Sequence, residues 1–243
     1  MSGISLEICI HSRDNDYVKQ SVENAYRAGA DRIELCANMS VGGTTPAIEH
    51  IELARQAFKD RKGLLCMIRP RSGNFVFSTE EIHIMQQQII AATDAGADGV
   101  VIGALNHDRS INKKALDILI REAKQRHLSV TFHRAFDAAI NQISALDYLL
   151  SSGIDRLLTA GILWQQSGSA LDGLPLLQKW VIQSQEKIEI VAGGGVSISN
   201  ARIIARTLSS LTSRLSLHAY SSVLDEQGNT SAPHILSLKK LFN

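Results

Sequence analysis

Apolar and polar residues alternate in short runs along the chain, and apolar residues at helical spacing fill the intervals between the runs. Leu6-Glu7-Ile8-Cys9-Ile10-His11 sets Leu6, Ile8 and Ile10 on one face and Glu7, Cys9 and His11 on the other. That period of two is the signature of a strand whose faces meet different surroundings. The alternation recurs at Asp31 to Cys36, with Glu34 and Cys36 opposite Ile33 and Leu35. It recurs again at Leu128 to His133, with Ser129, Thr131 and His133 opposite Leu128, Val130 and Phe132. Leu64 to Pro70 (with Leu65, Met67 and Arg69 on one face), Gly99 to Gly103, Arg156 to Thr159, Ile188 to Ala192 and Leu215 to His218 complete a set of eight strands.

Helical stripes lie between them: Val18/Val22/Ala25, Ile48/Ile51/Phe58, Ile82/Met85/Ile89, Leu116/Leu119/Ala123, Ile143/Leu146/Leu150, Leu174/Leu177/Val181, Ile203/Ile204/Leu208 and a closing segment from Ile235 to Leu241. Start signals support them. These are Thr45-Pro46 as an N-cap and first-turn proline, Ser78-x-x-Glu81 as a capping box, and Asn112 and Ser199 as caps. A weak repeat, Gly29-Ala30-Asp31-Arg32-Ile33, Gly96-Ala97-Asp98-Gly99-Val100 and Gly153-Ile154-Asp155-Arg156-Leu157, marks the turns into strands two, four and six. Eight strand–helix units in 243 residues predict one (β/α)8 TIM barrel over 1–243. An open doubly wound sheet is the alternative with the same order of elements.

Composition narrows the class. Hydrophobic residues make up 44% and charged residues 20% of the chain. That suffices for a large core, and no apolar run reaches the roughly 20 residues of a membrane span. Met1-Ser2-Gly3-Ile4-Ser5 has neither a basic region nor an apolar signal core. A net charge of +1 points to neither nucleic acid nor anionic membrane as a partner. Three cysteines, Cys9, Cys36 and Cys66, are too few for a disulfide framework and fit a reducing cytoplasm.

In a barrel the apolar strand faces pack outward on helices, so the opposite faces point inward, toward the C-terminal mouth where barrel active sites sit. That parity places Leu6, Ile8, Ile33, Leu35, Val130, Phe132, Leu215 and Leu217 outside. It turns Glu7, Cys9, Glu34, Cys36, Arg69, Thr131, His133 and His218 inward, with His11, Arg71 and Asp137 at the rim. Buried charges are costly unless paired, so charges from several strands in one mouth point to function. Cys66 falls on the outer face and reads as a small filler. Gly193-Gly194-Gly195 after strand seven resembles an anion-gripping loop or a plain tight turn. The chain has no P-loop, Cys-x-x-Cys pair, His-Glu-x-x-His helix or Gly-x-Ser-x-Gly elbow.

Leu6-Glu7-Ile8-Cys9, Arg32-Ile33-Glu34-Leu35-Cys36, Gly42-Gly43-Thr44-Thr45-Pro46, Met67-Ile68-Arg69-Pro70-Arg71 and Thr131-Phe132-His133-Arg134-Ala135-Phe136-Asp137 closely resemble the copper homeostasis protein CutC family. The resemblance covers nearly the whole chain. It implies a TIM barrel, a cytoplasmic homodimer, association with copper, and Cys9 and Cys36 as the positions matching the proposed copper ligands.

Two functions follow from the mouth so drawn. One is Cu(I) binding. Thiolate is the right soft ligand, neighbouring strands lie about 4.8 Å apart, and His133 or Met39 supplies a third donor. The other is an enzyme acting on a small anionic metabolite. There Arg69, Arg71, Thr131, Gly193, Gly194 and His218 bind it, and Glu7, Glu34, His133 and Asp137 move protons.

Overall fold

Eight short strands follow one another around a closed barrel, each parallel to the next, with β1 returning to β8. The strands are β1 Ser5–His11, β2 Arg32–Cys36, β3 Leu64–Met67, β4 Gly99–Ile102, β5 Ser129–Phe132, β6 Arg156–Thr159, β7 Glu189–Gly193 and β8 Leu215–Ala219. This computed structural model describes residues 3–241. Met1 and Ser2, within the opening segment considered above as a signal, lie outside them. The helices are α1 Asn15–Arg27, α2 Ile48–Phe58, α3 Thr79–Asp94, α4 Lys113–Gln125, the single turn α5 Ala135–Ala138, α6 Gln142–Ser152, α7 Leu174–Ser184, α8 Ala201–Ser209 and α9 Ala232–Lys239. Closure rules out the open sheet, because β1 and β8 pair over Ser5 to Ile8 and Ser216 to Ala219.

Strand parity holds. Leu6, Ile8, Ile33, Leu35, Val130, Phe132, Leu215 and Leu217 all enter the main core between barrel and helices, and Cys66 lies with them as a filler. Cys9, Cys36, Leu65, Met67 and Val101 form a separate small cluster, the inner faces of β1 to β4.

Several helix details differ from the sequence reading. Helix α2 begins two residues after Pro46, with Ala47 at its N-cap. Thr45 is used elsewhere: its hydroxyl accepts the Arg69 N–H at 2.8 Å and donates to Gln88 Oε1 at 2.8 Å. Asn200, not Ser199, precedes α8, and its amide donates to the Gly195 carbonyl at 2.8 Å. Ile48, Ile143 and Ile203 are exposed, while Ala54, Ala145 and Ala205 are buried. Periodicity located these helices and the buried Ile51, Phe58, Leu146, Ile204 and Leu208, but one residue of each stripe lies outside the contact, where an alanine is buried instead.

The glycine-x-aspartate repeat has a physical purpose. In each copy the aspartate N–H donates to a carbonyl of the preceding odd-numbered strand: Asp31 to Leu6, Asp98 to Leu64 and Asp155 to Val130. The carboxylate accepts an N–H back from the same residue: Leu6 at 2.7 Å, Leu64 at 3.0 Å and Val130 at 2.6 Å. Each carboxylate also holds a cation, Lys239, Arg55 or Lys124 respectively. The repeat therefore pins β1, β3 and β5 at the closed end of the barrel.

Asp98 is the most heavily used copy, since it also accepts Gly63 N–H at 2.8 Å. Replacing it by alanine strands two backbone donors, and charge-assisted bonds of this kind contribute about 1.5–3 kcal/mol each. Denaturant unfolding of Asp98→Ala should therefore show a loss of roughly 2–4 kcal/mol at pH 7. Burial would raise the Asp98 pKa, but the bonds from Leu64 and Lys62 and the charge of Arg55 outweigh it and hold the pKa below its usual 3.8. Its contribution is thus complete above pH 3.8 and fades as pH falls through the depressed value, so the difference between wild type and variant should shrink in acid.

Candidate functional site

The barrel interior is polar in two connected layers. In the lower layer Arg32 Nε donates to Glu7 at 3.0 Å and Arg32 Nη2 donates to Glu189 at 2.7 Å, with Ser216 alongside. Arg156 Nε donates to Thr131 Oγ1 at 2.9 Å and its Nη2 to Ser129 at 2.7 Å. Thr131, expected to bind substrate, is therefore spent inside the wall. Glu7, expected to work in the mouth, lies beneath it with no solvent exposure. Arg32, Arg156 and Glu189 escaped the sequence reading because each stands first in its strand, where alternation is hardest to read.

Glu7 also joins the lower layer to the upper one, since its Oε1 meets His218 Nδ1 at 2.8 Å. Burial pushes the Glu7 pKa up, but the His218 hydrogen bond and the Arg32 charge prevail and bring it to about 2. Burial disfavours the His218 cation, but contacts with Cys9, Glu7 and Glu34 raise its pKa well above the usual 6.5. His218 is thus an imidazolium held under the mouth.

The sulfur atoms sit directly above. Cys9 Sγ lies 4.0 Å from Cys36 Sγ and 3.8 Å from Met39 Sδ. The thiol separation far exceeds the roughly 2.05 Å of a disulfide, and all three cysteines are free. Either thiol could donate across that gap, but the imidazolium makes Cys9 the acceptor. The Cys36 hydrogen bond lowers the Cys9 pKa, burial raises it, and His218 lowers it further, to about 6. Cys36 keeps its proton: its pKa rises well above 9.0 because Cys9 and burial both disfavour a second thiolate. Cys36 Sγ also lies 3.2 Å from Glu34 Oε1, and burial raises Glu34 to about 8.

Met39 is brought in by a single helical turn, Met39–Val41, that Arg69 fastens. Arg69 Nη1 donates to the carbonyls of Val41 at 3.1 Å, Gly42 at 3.3 Å and Gly43 at 2.9 Å, and its Nη2 donates to Gly73 at 2.8 Å. Gly43 has φ +84°, and a Cβ there would meet Cys36 Sγ at 3.4 Å and Met39 Sδ at 3.7 Å. Glycine therefore suits both the turn and the approach of the loop to the sulfurs.

The other expected residues divide. Cys9, Glu34, Cys36, Arg69, His133, Gly194 and His218 all line one cavity of about 250 Å³, with Arg134, Trp164 and Tyr220. Arg71 does not line it; it pairs with Glu81 at 2.5 Å, across the capping box of α3. Asp137 is buried and fully engaged, accepting Arg134 Nε at 2.7 Å, Thr159 Oγ1 at 2.5 Å and Ala160 N–H at 3.1 Å. Its carboxylate positions Arg134 and leaves no oxygen free as a base. Gly193 ends β7, and the cavity begins at Gly194. His133 Nδ1 accepts the Ala135 N–H at 3.1 Å, and burial and Arg69 lower its pKa to about 3. The ring is neutral, with its proton on Nε2, so His133 is a donor and not a metal ligand. Trp164 lies on the loop after β6, which carries no strand or helix pattern to mark it.

A Cys9 thiolate has a spectral signature. Absorbance near 240 nm should show one thiolate forming around pH 6. Cys9→Ser should remove that step, and His218→Asn should move it up toward the ordinary thiol value of 9.0.

Three comparisons place the chain among known proteins. The family model described as CutC family matches residues 4–219. A CutC family protein of Pasteurella multocida is 41% identical over 205 residues, 84% of this chain and 78% of that protein. A human copper homeostasis protein cutC homolog is 40% identical over 203 residues, 84% of this chain and 69% of that protein. The crystal structure of CutC from Streptococcus agalactiae superposes with a TM-score of 0.76 at 28% identity, covering 88% of this chain and 98% of that one. With the barrel, the sulfur pair and these matches agreeing over most of its length, the chain belongs to the CutC family.

Proposed function

We propose that the protein takes part in copper homeostasis by holding Cu(I) between Cys9 and Cys36, with the Met39 thioether as third ligand. The observation that carries this reading is the sulfur triangle, with Cys9 Sγ 4.0 Å from Cys36 Sγ and 3.8 Å from Met39 Sδ. Two thiols at that spacing can share one ion at a metal–sulfur distance of about 2.3 Å. Two thiolates and a thioether select a soft monovalent ion over the harder divalent metals. The copper homeostasis name of the human relative agrees with that choice.

The donor set fits the ion in a second respect. Glu7, Glu34 and His218 also lie close enough to share a metal, but His218 carries a proton that Glu7 holds in place, and a protonated imidazole is no ligand. Glu34 also lies within reach of Cys9 and Cys36, but with its pKa raised to about 8 it holds a proton at neutral pH, so the sulfurs are the better donors. Binding converts the Cys36 thiol to a thiolate, so about one proton leaves as the ion enters at pH 7. A reducing cytoplasm suits the site, because both thiols must remain free. No helix among the described residues is long and apolar enough to cross a membrane.

Competition of the protein against a Cu(I) chelator tests the reading. Cys9→Ser and Cys36→Ser should each lower Cu(I) affinity at least about 100-fold, and Met39→Leu about tenfold, because a soft ion gains little from serine or leucine. Wild-type affinity in both cysteine variants would end the proposal. Arg71→Ala, remote from the sulfurs, should change nothing.

A further inference from the structure

One ion occupies little of a cavity of about 250 Å³. The volume is just under the roughly 300–1,000 Å³ of ordinary ligand pockets, which suits a small metabolite and excludes a nucleotide. The wall away from the sulfurs carries hydrogen-bond donors that meet no acceptor among the described residues. His133 and Arg69 are 4% and 2% exposed, and His133 Nε2 and Arg69 Nε are buried with no hydrogen-bond partner among the described residues. With Nδ1 occupied by the Ala135 N–H, the neutral His133 ring presents Nε2–H. Arg69 forms no ion pair among the described residues, and its four bonds all run to backbone carbonyls. A buried guanidinium without a counter-ion is costly. Phe75 packs against both groups, its ring 5.1 Å from that of His133 and 5.1 Å from the Arg69 guanidinium carbon, so the two donors share one wall.

A second set of donors lies at the end of β7. Gly194 and Gly195 have φ of +104° and +68°, and the N–H groups of Gly194, Gly195 and Val196 meet no acceptor among the described residues. Successive free N–H groups on such a turn form a concave anion nest. Arg134 stands over it: a Cβ on Gly194 would lie 3.6 Å from Arg134 Nη1. Asp137 takes only Arg134 Nε, which leaves both terminal nitrogens of that fork free, and Trp164 stacks 5.2 Å from its guanidinium carbon. An arginine fork over backbone donors suits a phosphate group.

We propose that the mouth binds a small organic phosphate, its phosphate held by Arg134 and the Gly194–Val196 turn and a second oxygen group, carbonyl or carboxylate, received by His133 Nε2–H and Arg69 Nε–H. This site adjoins the copper site and does not depend on it. The phosphate supplies the negative charge the buried arginine wall lacks, and the second oxygen distinguishes a metabolite from free phosphate.

The test uses full-length, chelator-treated protein with 2-phosphoglycolate and inorganic phosphate as probes. Calorimetry gives affinity, and Trp164 fluorescence reports occupancy, with Trp164→Phe as control for the other tryptophan. Wild type should bind 2-phosphoglycolate saturably with a change in Trp164 emission, and at least tenfold more tightly than phosphate. Arg134→Lys preserves the pairing with Asp137 but not the fork. It should weaken both probes about tenfold, with an unchanged melting temperature and unchanged Cu(I) affinity. His133→Phe keeps ring volume and should weaken 2-phosphoglycolate alone. Cys36→Ser should leave both probes within twofold, which separates failure here from failure of the copper reading. The proposal is overturned by no saturable binding of 2-phosphoglycolate to wild type, by equal affinity for both probes, or by full affinity in a folded Arg134→Lys protein.

Discussion

A single carboxylate couples the barrel's interior to its mouth. Glu7 has no solvent exposure, yet it remains ionised because Arg32 reaches it from below and His218 from above. The same contact keeps His218 protonated in a place where burial alone would strip the proton. With the hydrogen bond from Cys36, that imidazolium lets Cys9 ionise ahead of its neighbour. Without Glu7, Arg32 would keep only Glu189 as a partner and His218 would lose one of the contacts that favour its charged form. Buried ion pairs seldom stabilise a fold on balance, and breaking one is costly. Here the expense has an outcome in chemistry, a thiolate in a site almost closed to water.

Arg69 has a comparable position on the loop side. It solvates the carbonyls of the turn that carries Met39, so the third sulfur depends on a guanidinium whose charge no carboxylate among the described residues balances. The proposed metal site and the proposed anion site thus share a structural member. The sulfurs occupy the wall formed by β1 and β2, and the donors occupy the wall formed by β3, β5 and β7, with one cavity between them.

Much of this was legible in the chain. Apolar runs and turn signals marked all eight strands, and alternation on β1, β2 and β5 turned Cys9 and Cys36 toward one place. It failed where a residue's role depends on depth. Thr131 and Glu7 point inward as parity requires, yet they lie a layer below the cavity, because a tilted, staggered barrel sets neighbouring strands at different heights. Asp137 and Arg71 fell to a different cause. Both look reactive in sequence, but partners distant in the chain or across a turn (Thr159 for one, Glu81 for the other) consume their polar atoms. Arg134 gained what Asp137 lost, and Trp164 came from a loop with no pattern at all. One residue in each of three helix stripes was misread, Ile48, Ile143 and Ile203, which lie outside the contact where an alanine is buried instead.

The central claim is a sulfur-only site whose third donor is a thioether delivered by the Arg69-fastened turn. X-ray absorption at the copper edge of the Cu(I)-loaded protein tests it most directly, because it reads the ligands themselves. The account predicts a first shell of three sulfur scatterers and no nitrogen or oxygen. A shell containing imidazole or carboxylate donors would contradict it, since His218 would then have to give up the proton its carboxylate neighbours favour, and His133 the tautomer its Ala135 bond sets.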